Sequence, residues 1–296
     1  MNRHVIWMPL FLALAIASSA RGADLSGEVV SPDGAPLADA DVYFVDSNYR
    51  DFSVKRPTHS ARTSAAGTFR LSVPDNPGPF RRDFSLWVAK PGVGLDCVHL
   101  GKSTSIKSTF TRVVIKAPTP WQAKVLDASR QPIPGAKVTF ISVRLGDQSA
   151  TVPDELAATL TARCDGQGVW QMPLAPAAFK SAYVKVETKT IGTQTGIVTR
   201  DNERPDVVLP AVGRLRGELV CADPAALHEV QKVPIEIAGL AFGPRVVTDD
   251  QGKFVLEHVP VGSSFCSSRR VLRWALAARD GPMTPQLLGR RARRRW

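Results

Sequence analysis

One phrase occurs three times along the chain: TSAAGTFRLSVP (63–74), RCDGQGVWQMPL (163–174) and TDDQGKFVLEHVP (248–260). Each version sets a small polar turn before an aromatic residue, an apolar alternation and a proline. Polar side chains close tight turns and glycine supplies the positive φ they need, so each phrase predicts two strands joined by a turn. Phe69, Leu71 and Val73 alternate strictly, which directs one strand face into a core. In the third copy Phe254 and Leu256 alternate but Val259 falls one residue late, which predicts a bulge. Pro74 and Pro260 mark the strand ends, because proline cannot donate to a sheet.

The stretches that lead into the phrase repeat as well. LSGEVVSPDGAPLADADVYF (25–44) and WQAKVLDASRQPIPGAKVTF (121–140) each run strand, turn, strand, with Val42 and Phe44, and Val138 and Phe140, sharing a face. LRGELVCADP (215–224) and KVPIEIAG (232–239) are the third version. Gly27, Ala123 and Gly217 are equivalent, about 95 residues apart, a domain-sized period rather than a solenoid turn. Phe69, Trp170 and Phe254 are then one core position in three domains. Short strands, dense turn residues and a single helical stretch, Asp154 to Ala162, predict tandem all-β Greek-key sandwiches.

The order of these motifs, Gly-x-Val, Pro-x-x-Ala-x-Val, then Thr-Asp-x-x-Gly-x-Phe-x-Leu, resembles the carboxypeptidase regulatory-like domain. That resemblance implies a transthyretin-like, seven-stranded sandwich that is generally noncatalytic. The second copy departs from the pattern, with Cys164 where threonine is usual and Trp170 where phenylalanine is usual. The expected domains are 24–118, a divergent 119–211, and 212–262, the last incomplete.

Both ends have a character of their own. Arg3 and His4 precede the apolar run Val5 to Ala17 and then small residues, the order of a secretory signal peptide over 1–20, cleaved after Ala20. Export to the cell surface, the periplasm or the medium follows, and no later run is long enough for a membrane span. The formal net charge of +11 is concentrated at the other end, where residues 263–296 hold nine arginines and one acid, Asp280. Setting that segment and Arg3 and Arg21 aside leaves 27 basic against 26 acidic residues, a nearly neutral body without a nucleic-acid recognition motif. A like-charge run repels itself, so 263–296, apart from Val271 to Ala277, is expected to be poorly ordered and to leave the third sandwich with an unpaired edge.

The inventory of reactive residues argues against enzymes. A metallocarboxypeptidase needs His-x-x-Glu and a distant histidine around zinc, and none of His4, His59, His99, His228 and His258 has a glutamate at that spacing. Neither a Gly-x-Ser-x-Gly elbow nor a closing Tyr-Arg-Gly-Ser is present. Catalytic, cofactor and metal residues are therefore expected to be none, with the binding residues open. Asp249 and Asp250 read as a solvated turn rather than a calcium loop, which needs six to eight oxygens. Cys97, Cys164, Cys221 and Cys266 fit disulfides or buried thiols equally well. Trp87, Trp121 and Trp170 read as core, with a sugar-stacking platform as the alternative. Two functions remain: a noncatalytic structural or protein-binding module at the cell envelope, or a carbohydrate-binding protein of the starch-binding type.

Overall fold

The structure, a computed structural model, describes residues 22–47, 59–74, 82–118, 120–172, 174–177, 179–200, 206–219, 228, 230–237, 243–267 and 274–275. The expected leader (1–20) lies outside them, as do 268–273 and 276–296 of the basic segment.

The first sandwich has seven strands: β1 (Gly22–Val30), β2 (Asp41–Ser47), β3 (His59–Arg62), β4 (Thr68–Pro74), β5 (Arg82–Lys90), β6 (Gly94–Ser103) and β7 (Thr109–Val114). One sheet runs β4-β1-β7 and the other β3-β2-β5-β6. β1 pairs antiparallel with β4 and parallel with β7. Such a parallel pair cannot be closed by a hairpin; the chain crosses between the sheets to make it, as in a Greek key. The predicted alternation of β4 holds, with Phe69, Leu71 and Val73 buried and their neighbours exposed.

The second sandwich repeats the plan with β8 (Trp121–Leu126), β9 (Lys137–Leu145), β10 (Gln148–Thr151), α1 (Asp154–Ala157), β11 (Thr161–Arg163), β12 (Val169–Met172), β13 (Ser181–Thr188), β14 (Gly192–Thr199) and β15 (Asp206–Val208). β12-β8-β15 matches β4-β1-β7, again with a parallel closing strand, and β9 carries β10, β11 and β13, with β14 beyond. The helix expected over 154–162 is a single turn. Its N-cap, Pro153, has no side-chain acceptor for the free N–H groups, and Thr161–Arg163 pairs with β9 instead.

The third unit contains β16 (Val212–Glu218), β17 (Pro234–Ile237), β18 (Arg245–Val247), β19 (Lys253–Pro260), β20 (Ser264–Ser267) and β21 (Trp274–Ala275). Its sheets are β16-β19 and β18-β17-β20-β21. β20 and β21 fall inside the segment expected to be poorly ordered, and β20 pairs with β17. The predicted bulge is present: Gly213 faces Val259 and Leu215 faces Leu256, which leaves an extra residue on β19, and His258 takes a φ of 56° there.

The molecule is thus all-β, built from tandem sandwiches of the transthyretin-like or immunoglobulin-like class. The first two share buried surface. In the β3-β2-β5-β6 sheet, Val42, Phe44, Phe84, Leu86 and Val88 point into the first core. The opposite face, Val45, Trp87, Leu95 and Cys97, belongs to the cluster that fills the second sandwich, together with Val143, Ala150, Val152 and Leu156. The β9–β10 hairpin makes this join. It turns on Gly146, at a φ of 63°, and brings β10 against β2, β5 and β6. The second and third units meet at the bulge, where Gln194 Nε2 donates to the carbonyls of His258 (3.1 Å) and Ile191 (3.2 Å).

Candidate functional site

The recurring phrase is explained by one set of hydrogen bonds made three times. The N–H groups of Val29, Val125 and Leu219 on the opening strands donate to the carbonyls of Gly67, Gly168 and Gly252, at 2.8, 2.9 and 2.9 Å. Those glycines hold φ of 71°, 71° and 78°, and a Cβ on any of them would press on the carbonyl oxygen of the same opening residue. The residue that begins each turn, Ser64, Asp165 or Asp249, accepts two backbone N–H groups on one side-chain oxygen, those two and four residues later. Asp249 Oδ1 therefore serves the turn, with Gln251 and Lys253 N–H both at 2.8 Å. Asp250 is exposed, and its backbone carbonyl accepts from Gln231. Among the described residues, no group of three or more His, Cys, Asp or Glu could hold a metal ion.

One position ahead of the turn lies a buried link to the next strand. Thr63 Oγ1 accepts the Ala40 N–H (2.8 Å) and donates to the Leu37 carbonyl (2.6 Å). Thr248 Oγ1 does the same with Val233 (2.9 Å) and Val230 (2.6 Å). Cys164 holds the equivalent place, shown by matching backbone bonds from Cys164 N–H to Ala136 and from Gly135 N–H to Cys164. Its thiol is free and buried, and burial, with the Asp165 charge second, raises its pKa to about 11. Cys97 is also free and buried; burial first and Asp96 second push its thiol well up. Both are poor nucleophiles at neutral pH. Cys221 lies outside the described residues, and so does the side chain of Cys266.

The tryptophans are in the core. Trp87 and Trp170 are fully buried, and Trp121, half-buried, meets Trp170, Phe140 and Phe179 edge-on at 5.3, 6.3 and 5.4 Å between centroids. Edge-to-face contacts of this kind add to the packing energy but leave no open face on which a sugar could stack. The indole N–H groups of Trp87 and Trp170 find no acceptor among the described residues.

The residues closest to a reactive arrangement are ones that sequence reasoning passed over. A register shift between Phe84 and Ser85 brings His99 and Asp83 together at one end of the β5–β6 pair, with His99 Nε2 3.2 Å from Asp83 Oδ1. Both side chains are buried, and Lys102 Nζ stands 3.5 Å from the same carboxylate. Beside them Arg82 pairs with Asp46, donates to the Thr104 carbonyl (3.2 Å) and covers the Phe84 ring. The Gly101 N–H donates to His99 Nδ1 at 3.1 Å, which fixes the proton on Nε2, where it is given to Asp83. Neither ring nitrogen has a lone pair to offer a substrate or a metal, so the dyad is a buried structural link. No spacing motif announces it, because the residues meet only through strand pairing. Of the other histidines, His59 packs tilted on Phe44, His228 is exposed, and His4 is outside the described residues.

No protein-family model matches the chain, and no curated protein does. Among solved structures, it resembles the Bacillus anthracis TIE protein at 13% identity and a TM-score of 0.22, covering 84% of this chain and 46% of that one. It thus spans about half the length of that protein. A streptococcal ancillary pilin matches at 12% identity and a TM-score of 0.27, over 88% of this chain and 96% of the pilin. The shaft pilin SpaA from Lactobacillus rhamnosus GG matches at 11% and 0.24, over 64% and 97%. At such scores these likenesses carry nothing about what the chain binds. Among the described residues no helix is long and apolar enough to cross a membrane.

Proposed function

We propose that this is an exported, noncatalytic β-sandwich repeat protein that serves as a structural or protein-binding module at the cell surface or in the periplasm. The observation that carries this reading is the shared core of the first two sandwiches. Trp87 and its neighbours commit a whole sheet face to joining one unit to the next, which suits a spacer that must keep its geometry. The polar side chains that could do chemistry, His99, Asp83 and Asp249, are occupied with internal hydrogen bonds. Export rests on the leader pattern over 1–20. The units are proposed as 24–118, 119–211 and 212–262 onward, related to the carboxypeptidase regulatory-like domain by their motif order.

Native electrophoresis through gels containing starch, glycogen or other polysaccharides tests the reading against its carbohydrate-binding alternative. The expected result is unretarded migration in every gel. Retardation by one polysaccharide would move the assignment to carbohydrate binding and away from the buried tryptophans.

A further inference from the structure

Strand β16 has the sequence of a central strand, yet among the described residues it pairs only with β19. β1 and β16 begin the same motif, Leu-x-Gly-Glu-x-Val, at 25–30 and 215–220. β1 lies between β4 and β7, and β8 between β12 and β15, the closing strand being parallel in both. In β16, Leu219 N–H donates toward β19, to Gly252 at 2.9 Å. By strand alternation the backbone groups of Arg214, Arg216 and Glu218 face the other edge, ready for a partner. The apolar face agrees. Leu25 and Phe69 are 2% and 5% exposed and share a cluster with Val113 of β7 and with Ile115, whereas their counterparts Leu215 and Phe254 are only half-buried.

The chain itself contains a segment that fits. Five residues separate β6 from β7 and six separate β14 from β15, and 21 residues follow Ala275, ample for the same connection. Within them, Pro-Gln-Leu-Leu at 285–288 parallels Pro-Asp-Val-Val at 205–208, whose last three residues are β15. We propose that Gln286–Leu288 closes the third sandwich by pairing in parallel with β16, with Glu218 opposite Gln286 as Lys124 is opposite Asp206. Leu287 then covers Leu215 and Phe254, and the arginine run from Arg290 begins just past the strand. This goes beyond the functional reading above and does not depend on it.

The test is a disulfide in the full chain. Glu218→Cys and Gln286→Cys are combined in a Cys221→Ser, Cys266→Ser background, oxidised mildly, and mapped by peptide mass spectrometry. Paired strands bring Cα atoms within disulfide reach, so the intramolecular 218–286 cross-link should form roughly tenfold more than a control pair, Glu218→Cys with Ala292→Cys. Equal yields overturn the proposal. A cross-link found only between two molecules also overturns it, and places the strand on a second copy. Independently, truncation after Gly289 should leave the melting temperature unchanged and truncation after Met283 should lower it; identical melting of the two truncated chains counts against the pairing.

Discussion

Gly27 lies directly opposite Phe69 across the β1–β4 pair, so close that a Cβ on the glycine would stand 2.8 Å from the ring. The same Cβ would collide with the backbone carbonyl oxygen of Thr111 on β7. Gly217 faces Phe254 in the same way, but there the only obstacle is the ring, and that ring is half-buried and can turn aside. Gly27→Ala must displace the parallel strand and should cost about 2 to 3 kcal/mol, the upper range for overpacking, while Gly217→Ala should cost about half that or less. Chemical denaturation of the two variants checks the order, and a Gly217→Ala protein destabilised as much as Gly27→Ala would refute it.

Cys164 stands where Thr63 and Thr248 each make two buried hydrogen bonds. Cys164→Thr supplies the hydroxyl for Ala136 and Ile133, the residues that correspond to the threonines' partners. A net stabilisation of about 1 kcal/mol is expected, the usual worth of an added internal hydrogen bond. A midpoint shift to lower denaturant would show that the larger sulfur is filling space the hydroxyl cannot.

Much of the fold is legible because the signals are local. A side-chain oxygen at Ser64, Asp165 or Asp249, a glycine three residues on and an aromatic two beyond that define the turn and the strand by their own chemistry. Even the bulge at His258 is visible as one late valine. The join between the first two sandwiches was not. Phe84, Leu86 and Val88 alternate with Ser85, Trp87 and Ala89, so β5 reads as apolar on both faces, a mark of two-sided burial. The pattern does not say what covers the second face. The His99–Asp83 link was hidden for the same reason: it depends on the Phe84–Ser85 register shift, a product of pairing between strands.

Trp87 belongs by sequence to the first unit and by packing to the second. Trp87→Ala should cost about 3 to 5 kcal/mol, as for other buried aromatic truncations. Its signature distinguishes it from an ordinary core change: hydrogen exchange should speed up in β9 and β10 as well as in β5. Phe69→Ala, which opens the first core only, should leave β9 and β10 protected. Unchanged exchange in β9 and β10 on loss of Trp87 would mean that the units are energetically separate.

Asp96 carries a pH dependence whose sign follows from its surroundings. Burial raises its pKa above the ordinary aspartate value, against the opposing effects of the Cys97 N–H, which donates to Oδ1 at 2.8 Å, and of the Lys116 charge. An acid whose folded pKa is raised binds its proton more tightly when folded. Its contribution to stability is therefore fully present below the unfolded pKa and is lost as pH climbs through the folded value. Above that window the fold carries a buried carboxylate at a cost. Asp96→Asn keeps an oxygen for the Cys97 N–H and removes the charge, so the variant should be more stable than the parent at pH 7. The advantage should shrink as the pH falls through the window above the ordinary aspartate pKa and vanish once the parent is protonated in both states. Denaturation midpoints of both proteins, measured from pH 7 down to the acid limit of folding, give the comparison. A constant difference across that range would show that ionisation of Asp96 has no part in it.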